Sequence, residues 1–176
     1  RSILTSAAER LLVPDISTLQ IIPWEKDTAR VICNVFYPPE REGKKMKPFE
    51  GCSRGILTRV EESMAAVLNK RLPGKEVEEW HAHFAPEVEF VLVPADYDHE
   101  RMHLDANLAN NHYFLPLAPK VNEALKEILK CLGLMGLKKE KFHTEVASFQ
   151  YEIGIAHGNA LSIADATMTL KYIIKS

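Results

Sequence analysis

Three features are missing or thin, and each absence narrows the field. Cys33, Cys52 and Cys131 lie far apart, with no CxxC pair and no Cys/His cluster. That spacing argues against a disulfide framework and a structural zinc site, and fits a reducing compartment. Charge of one sign is not in excess: 22 Lys and Arg stand against 24 Asp and Glu, a formal net charge of −2. No electrostatic case follows for nucleic acid or an anionic membrane as partner. No apolar run approaches the ~20 residues of a membrane span, and the start of the sequence lacks the apolar core of a signal peptide. The expectation is a cytoplasmic protein. No internal repeat or low-complexity segment stands out. What remains is 176 residues, 46% hydrophobic and 26% charged, enough for one ordinary domain or two small ones with a real core.

Residues 1–50 read as β-rich. Leu11 to Val13, Thr18 to Trp24 and Ala29 to Tyr37 are short apolar or alternating runs, punctuated by Pro14-Asp15, Pro23 and Pro38-Pro39. The third run is expected to be covered on most of both faces. Glu40 to Gly51 is a polar, glycine-bearing connection and the candidate domain boundary. From Ser53, a plausible N-cap, Leu57, Val60, Met64, Val67 and Leu68 fall at helical spacing to about Arg71, and Pro73-Gly74 stops that helix. Residues 95–112 read as a polar surface loop. After Pro119, residues Val121, Ala124, Leu125, Ile128, Leu129 and Leu132 make a second apolar helix face, ending near Gly133 or Gly136. Glu140 to Ala156 is strand-like but interrupted. A third helix opens near Asn159, with Ile163, Thr167, Leu170 and Ile174 on one side. The order helix, strand, helix, strand, helix favours an α/β sheet domain after a small β-rich one.

The chemistry concentrates in two acidic pairs. In Glu87-Val88-Glu89-Phe90-Val91-Leu92-Val93, residues Val88, Phe90 and Leu92 alternate onto one face, and Glu87 and Glu89 onto the other. At ~3.3 Å rise per residue the two carboxylates leave one sheet face about 6.6 Å apart. Two interpretations stay open: solvent-facing glutamates on a half-exposed strand, or carboxylates that need a cation or an arginine. His143 and Glu145 share a face of the later strand, and Glu152 follows Glu145 at an odd spacing. Glu145 and Glu152 converge only if a turn or bulge intervenes, placed at Ala147 to Gln150. Gly154 would leave room for a close approach. Carboxylates with little thiolate or imidazole select Mg²⁺ or Mn²⁺ over Zn²⁺, and several from separate strands suggest a multi-metal site acting on phosphoryl groups. The competing interpretation of Glu145 and Glu152 is that they are ordinary exposed residues. His143 is expected to orient Glu145 or a substrate rather than bind metal. His81 and His83 are expected at a strand surface, His99, His103 and His112 on a loop, Lys44, Lys45 and Lys47 in a solvated turn, and Trp24 and Trp80 in packing.

Ala85-Pro86-Glu87-Val88-Glu89-Phe90, then Tyr113-Phe114-Leu115-Pro116-Leu117-Ala118-Pro119, then Phe142 to Ile153 (Phe-His-Thr-Glu-Val-Ala-Ser-Phe-Gln-Tyr-Glu-Ile) resemble successive motifs of the glutamine synthetase family. The family shows Gly-Pro-Glu-x-Glu-Phe, Gly-Tyr-Phe before a proline-containing turn, His-His-His-Glu-Val-Ala, and Gly-Gln-His-Glu-Ile. Weaker matches at Leu11 to Asp15, Arg30 to Val35, Ser53 to Leu57 and Leu170 to Lys175 keep the same order. The resemblance implies a β-grasp-like domain over residues 1–51 and the first part of a catalytic α/β domain over 52–176. It implies ATP-dependent ligation of ammonia to glutamate through a γ-glutamyl phosphate. Mg²⁺ or Mn²⁺ would be the cation and ATP the co-substrate, in a ring-shaped homo-oligomer. By motif, Glu89, Glu145 and Glu152 would hold one metal, Glu87 would help hold a second on the nucleotide phosphates, and Glu140 would contact the nucleotide. Two alternatives in the same family are a ligase for polyamines or other amines and a non-catalytic structural relative.

The departures are Ala85 for Gly, Thr144 for His, Ser148-Phe149 for a small or glycine-containing turn, and Cys52 where Asp is common. The sequence as given starts after the family's Asp-Gly-Ser-Ser segment. It stops before the His-bearing metal motif, the glutamate-binding glycine loop and the phosphate-neutralising arginines. The expectations are that these 176 residues alone do not turn over and bind Mn²⁺ weakly. The helices at 121–137 and 159–175 should also expose apolar surface, for want of elements to pack against.

Overall fold

The computed structural model describes residues 9–39, 45–71, 82–93, 119–147 and 149–176. Expectations for Pro73-Gly74, Trp80, His81, the 95–112 loop with its histidines, Lys44, Tyr113 to Ala118 and Ser148 lie outside them. The chain divides into two compact units, Arg1–Ala82 with Asn159–Ala164, and His83–Gly158 with Asp165–Ser176. Among the described residues there are three helices, and the ladders of both three-stranded sheets are antiparallel.

In the first unit, β1 (Leu11–Ile21), β2 (Ala29–Tyr37) and β3 (Lys47–Pro48) form a sheet in the order β1-β2-β3. The two runs expected on either side of Pro14-Asp15 are one strand. Pro14 faces Cys33 across the ladder, and β1 lies at the sheet edge, where a missing N–H is tolerated. The register slips between Asp15 and Gln20. Thr18 fills the gap, its Oγ1 accepting from Ile32 N at 2.8 Å and donating to Asp15 O at 2.7 Å. The β1–β2 turn closes through Ile22 N to Thr28 O at 3.0 Å, and Asp27 takes the left-handed φ of 56° that a short polar side chain accepts. Strand β2 is half-covered along most of its length, as expected, whereas Trp24 is exposed.

Helix α1 (Ser53–Arg71) follows. Its first backbone bond runs from Ile56 N to the Cys52 carbonyl, so Cys52 rather than Ser53 is the N-cap. Burial pushes the Cys52 thiol up, but the N–H groups of Gly55, Val35 and Arg54 and the Arg54 guanidinium outweigh it and hold it below its ordinary value. The sulfur thus does the capping work of an Asp. Arg54 also ties the helix to the sheet, 2.7 Å from Asp15 Oδ2 and 3.2 Å from Asn34 Oδ1. Hydrogen bonds from Ser17 and the Arg54 side chain hold the Asp15 carboxyl below its usual value. A lowered folded-state pKa contributes stability that is present above the unfolded carboxylate value, near 3.9, and is lost as pH falls through the folded value. Asp15→Asn should therefore flatten the acid side of the stability–pH curve and leave its alkaline side unchanged, as measured by urea unfolding from pH 2 to 8.

In the second unit, β5 (Glu87–Val91), β7 (Gln150–Ile155) and β6 (Lys139–Thr144) form a sheet in that order, with β7 central. The helix–strand alternation suggested an α/β sheet. The fold is indeed mixed α/β, but β6 and β7 are a hairpin and β5 adds antiparallel to β7. A four-residue turn leaves room for no other pairing. Strands β4 (His83–Phe84) and β8 (Gly158–Asn159) make a separate two-stranded pair. Helix α2 (Pro119–Leu134) ends in a Schellman arrangement, with Gly136 at φ 74° and Leu137 N donating to Leu132 O at 2.9 Å.

Leu125, Ile128, Cys131, Leu132 and Met135 around α2, Tyr151, Ile153 and Ile155 of β7, and Leu170 and Ile173 of α3 (Ala160–Lys175) are buried. The expectation of exposed apolar surface on α2 and α3 holds only in part: these side chains are buried, while Leu134, Met168 and Tyr172 are exposed. Ile173, not Ile174, is the buried residue near the end of α3. Helix α1 instead carries the open apolar stripe, with Ile56, Val60, Met64 and Val67 each more than 40% exposed.

Candidate metal centre

Period-two alternation gives the β5-β7-β6 sheet two unlike faces. One face carries Val88, Phe90, Tyr151, Ile153, Phe142 and Thr144, with the Phe90 and Tyr151 rings 6.1 Å apart. The other face carries rows of chemistry. Glu89, Glu152 and His143 face one another across the three strands, and Glu87, Gly154 and Lys141 form the next row. The Glu-Val-Glu alternation thus holds. Thr144, a departure from the family pattern, falls in the row of the apolar face, opposite Tyr151.

The turn expected at Ala147 to Gln150 resolves the odd spacing of Glu145 and Glu152. Glu145 N donates to Gln150 O at 2.8 Å and Gln150 N to Ala147 O at 3.2 Å, closing the β6–β7 hairpin. With Glu152 opposite His143, Glu145 lies two residues along β6 on the same face. Phe149 takes a left-handed φ of 59° in this turn, which for a bulky residue stores about 1 kcal/mol or more. Its carbonyl accepts from Leu92 N at 3.1 Å.

His143, Glu145 and Glu152 each offer a donor atom, all within 4.8 Å of one another, and among the described residues they are the one such group. The His143 Nδ1 lies 3.1 Å from Thr144 O, and because a carbonyl only accepts, Nδ1 carries the proton. The other ring nitrogen, Nε2, lies 3.6 Å from Glu152 Oε1. A backbone carbonyl on the far ring nitrogen is the usual way a metal-ligating imidazole is held. Glu145 Oε1 lies 3.5 Å from Nδ1 and Oε2 accepts from Val146 N at 3.1 Å.

Glu152 is 4% exposed, and its Oε1 has no hydrogen-bond partner. Lys141 Nζ stands 2.9 Å from that oxygen as an ion pair. Burial pushes the Glu152 carboxyl up, yet Lys141, Glu145 and His143 together bring it below its ordinary value, so it is ionised at neutral pH. A nearly buried carboxylate with an unsatisfied oxygen beside a second carboxylate and an imidazole fits a divalent cation.

The remaining expected residues are placed differently. Gln150 donates from Nε2 to Glu89 Oε2 while its Oε1 accepts from Ala147 N at 3.0 Å, so Glu89 is held at the edge of the group rather than in it. Glu87 pairs with Lys141, Nζ to Oε1 at 2.6 Å. Its close contact with the Glu87 carboxylate, and then that with Glu152, raise the Lys141 ammonium above its ordinary value, so it stays charged at neutral pH. Glu140 is exposed at the irregularity between Lys139 and Lys141 and stands apart from the three-residue group. His143, expected to orient Glu145 or a substrate, stands with Glu145 and Glu152 in this group, and sequence reasoning gave Gln150 and Lys141 no role. The signal for all three was the hairpin register, which puts positions summing to 295 opposite one another. His83, expected at a strand surface, is exposed with its ring 6.0 Å from His157.

No helix among the described residues is long and apolar enough to cross a membrane. The model of the glutamine synthetase catalytic domain matches residues 50–176. Glutamine synthetase of Methanocaldococcus jannaschii is 34% identical over 174 residues, covering 96% of this chain and 34% of that protein. That of Thermotoga maritima is 33% identical over 174 residues, with 96% and 35% covered. The chain spans about a third of the length of these curated relatives. Among solved structures, apo GmaS without ligand superposes with a TM-score of 0.64 at 22% identity, over 96% of this chain and 35% of that one. A novel glutamine synthase homolog gives 0.61 at 17% identity, over 98% and 36%. The chain belongs to the glutamine synthetase family, through that family's catalytic domain.

Proposed function

We propose that this chain carries one wall of the active site of a ligase that joins ammonia to glutamate at the expense of ATP, through a γ-glutamyl phosphate. The observation that carries this reading is the His143–Glu145–Glu152 group on the polar face of the sheet, in a chain of this family. The cation it would hold supplies charge neutralisation for phosphoryl transfer, a reaction that depends mainly on positioning and electrostatics. Two carboxylates and one imidazole suit Mn²⁺ somewhat better than Mg²⁺. Glu145 and Glu152 would be held to the cation by the hairpin, His143 would be oriented by the Thr144 carbonyl, and Glu89 would be steadied by Gln150. Glu140, exposed at the strand irregularity, is proposed to meet the nucleotide. The family match beginning at residue 50 supports a boundary between a β-grasp-like 1–51 and a catalytic 52–176. A ring-type homo-oligomer would complete the site.

The test is ADP release by the whole gene product with Mg²⁺ or Mn²⁺, glutamate, and ammonia or a panel of larger amines. Release that needs ammonia is expected. Release with only a larger amine would move the protein to a sibling ligase, and no release with any amine would remove the enzyme reading.

A further inference from the structure

Lys141 is the residue on this face that the proposed chemistry does not use. Its ammonium lies 2.6 Å from Glu87 Oε1 and 2.9 Å from Glu152 Oε1, so one tethered positive charge bridges two carboxylates on different strands. The path it takes is built into the backbone. Gly154 lies between Glu87 and Lys141 in the register, and a Cβ there would come within 2.8 Å of Lys141 Cγ and 3.2 Å of Cε. A side chain at 154 would push the lysine stem off this path over the central strand. The irregularity of β6 at Glu140 immediately precedes it, a feature that re-aims side chains. The close approach that Gly154 was expected to permit is thus made by this chain's own lysine.

We propose that Lys141 stands in for one divalent cation, so that this face takes a single metal at His143, Glu145 and Glu152 where two were expected. The inference rests on the metal reading above. An ammonium on Glu87 satisfies the carboxylate that would otherwise join a second cation, and its charge repels a second ion. Glu87 is accordingly the partner of Lys141 rather than a ligand.

The experiment is a Mn²⁺ titration followed by electron paramagnetic resonance, on the wild-type chain and on Lys141→Met and Lys141→Gln. Thermal melts by circular dichroism check that each variant is folded, and the two replacements guard against one failing. The expected result is one more Mn²⁺ bound per chain in the variants than in the wild type. An equal, non-zero number in all three would overturn the lysine's role and leave the metal reading standing. No bound Mn²⁺ in any of them would overturn both.

Discussion

Glu152→Gln is expected to weaken Mn²⁺ binding to this chain by at least ~100-fold, beyond the ~10–100-fold typical of residues that merely support a ligand. Glutamine is nearly isosteric and leaves the strand intact, so the loss reports charge and donor strength. The size of the effect follows from burial. Glu152 sits on the central strand at 4% exposure with Oε1 unsatisfied, and water does not replace it as readily as it would a rim carboxylate. Glu145→Gln should act in the same direction. Glu89→Gln should cost less, because Glu89 is held by Gln150 Nε2 and lies outside the three-residue group. Calorimetry giving equal affinities for wild type and both the Glu145 and Glu152 variants would remove the assignment.

The second large effect concerns what holds the sheet in place. Ile153 is 0% exposed and lies between Val88 and Phe142 in the register, on the face opposite the carboxylates. Truncation to Ala removes buried methyl groups and leaves a cavity that the surrounding core side chains cannot wholly fill. A loss of about 2–5 kcal/mol is expected, against ~0.5–1.5 kcal/mol for Ile153→Val. With domain stabilities near 5–15 kcal/mol, the Ala variant approaches unfolding. Urea denaturation measures both. A loss below ~1 kcal/mol for Ile153→Ala would mean that β7 is not the core strand, and the rows built on its register would fall with it.

How much of this was legible in the sequence depends on how local each feature is. The faces of β5 were readable because period two needs only the strand itself. The hairpin was half readable: the odd spacing of Glu145 and Glu152 demanded a turn, and Ala147 to Gln150 supplies it. The partners across the hairpin were not readable, since they depend on the length of the turn. Hence His143 was read as orienting Glu145 or a substrate, without its place opposite Glu152. Lys141 was further out of reach, because its contact with Glu87 requires a third strand, a glycine in the central one and an irregularity in its own. Cys52 displaced Ser53 as cap because the sulfur is buried among backbone N–H groups, a tertiary circumstance. The α2 and α3 apolar stripes were legible but how far they are covered was not, since periodicity does not say what covers a stripe: Leu125 and Leu170 are buried, Leu134 and Met168 exposed.

The most direct test of the central claim is pulsed electron paramagnetic resonance on Mn²⁺ bound to the chain, read for ¹⁴N modulation. A site made by His143, Glu145 and Glu152 predicts coupling from one imidazole nitrogen, lost in His143→Ala. Bound Mn²⁺ with no nitrogen coupling, or with coupling that survives His143→Ala, would contradict it.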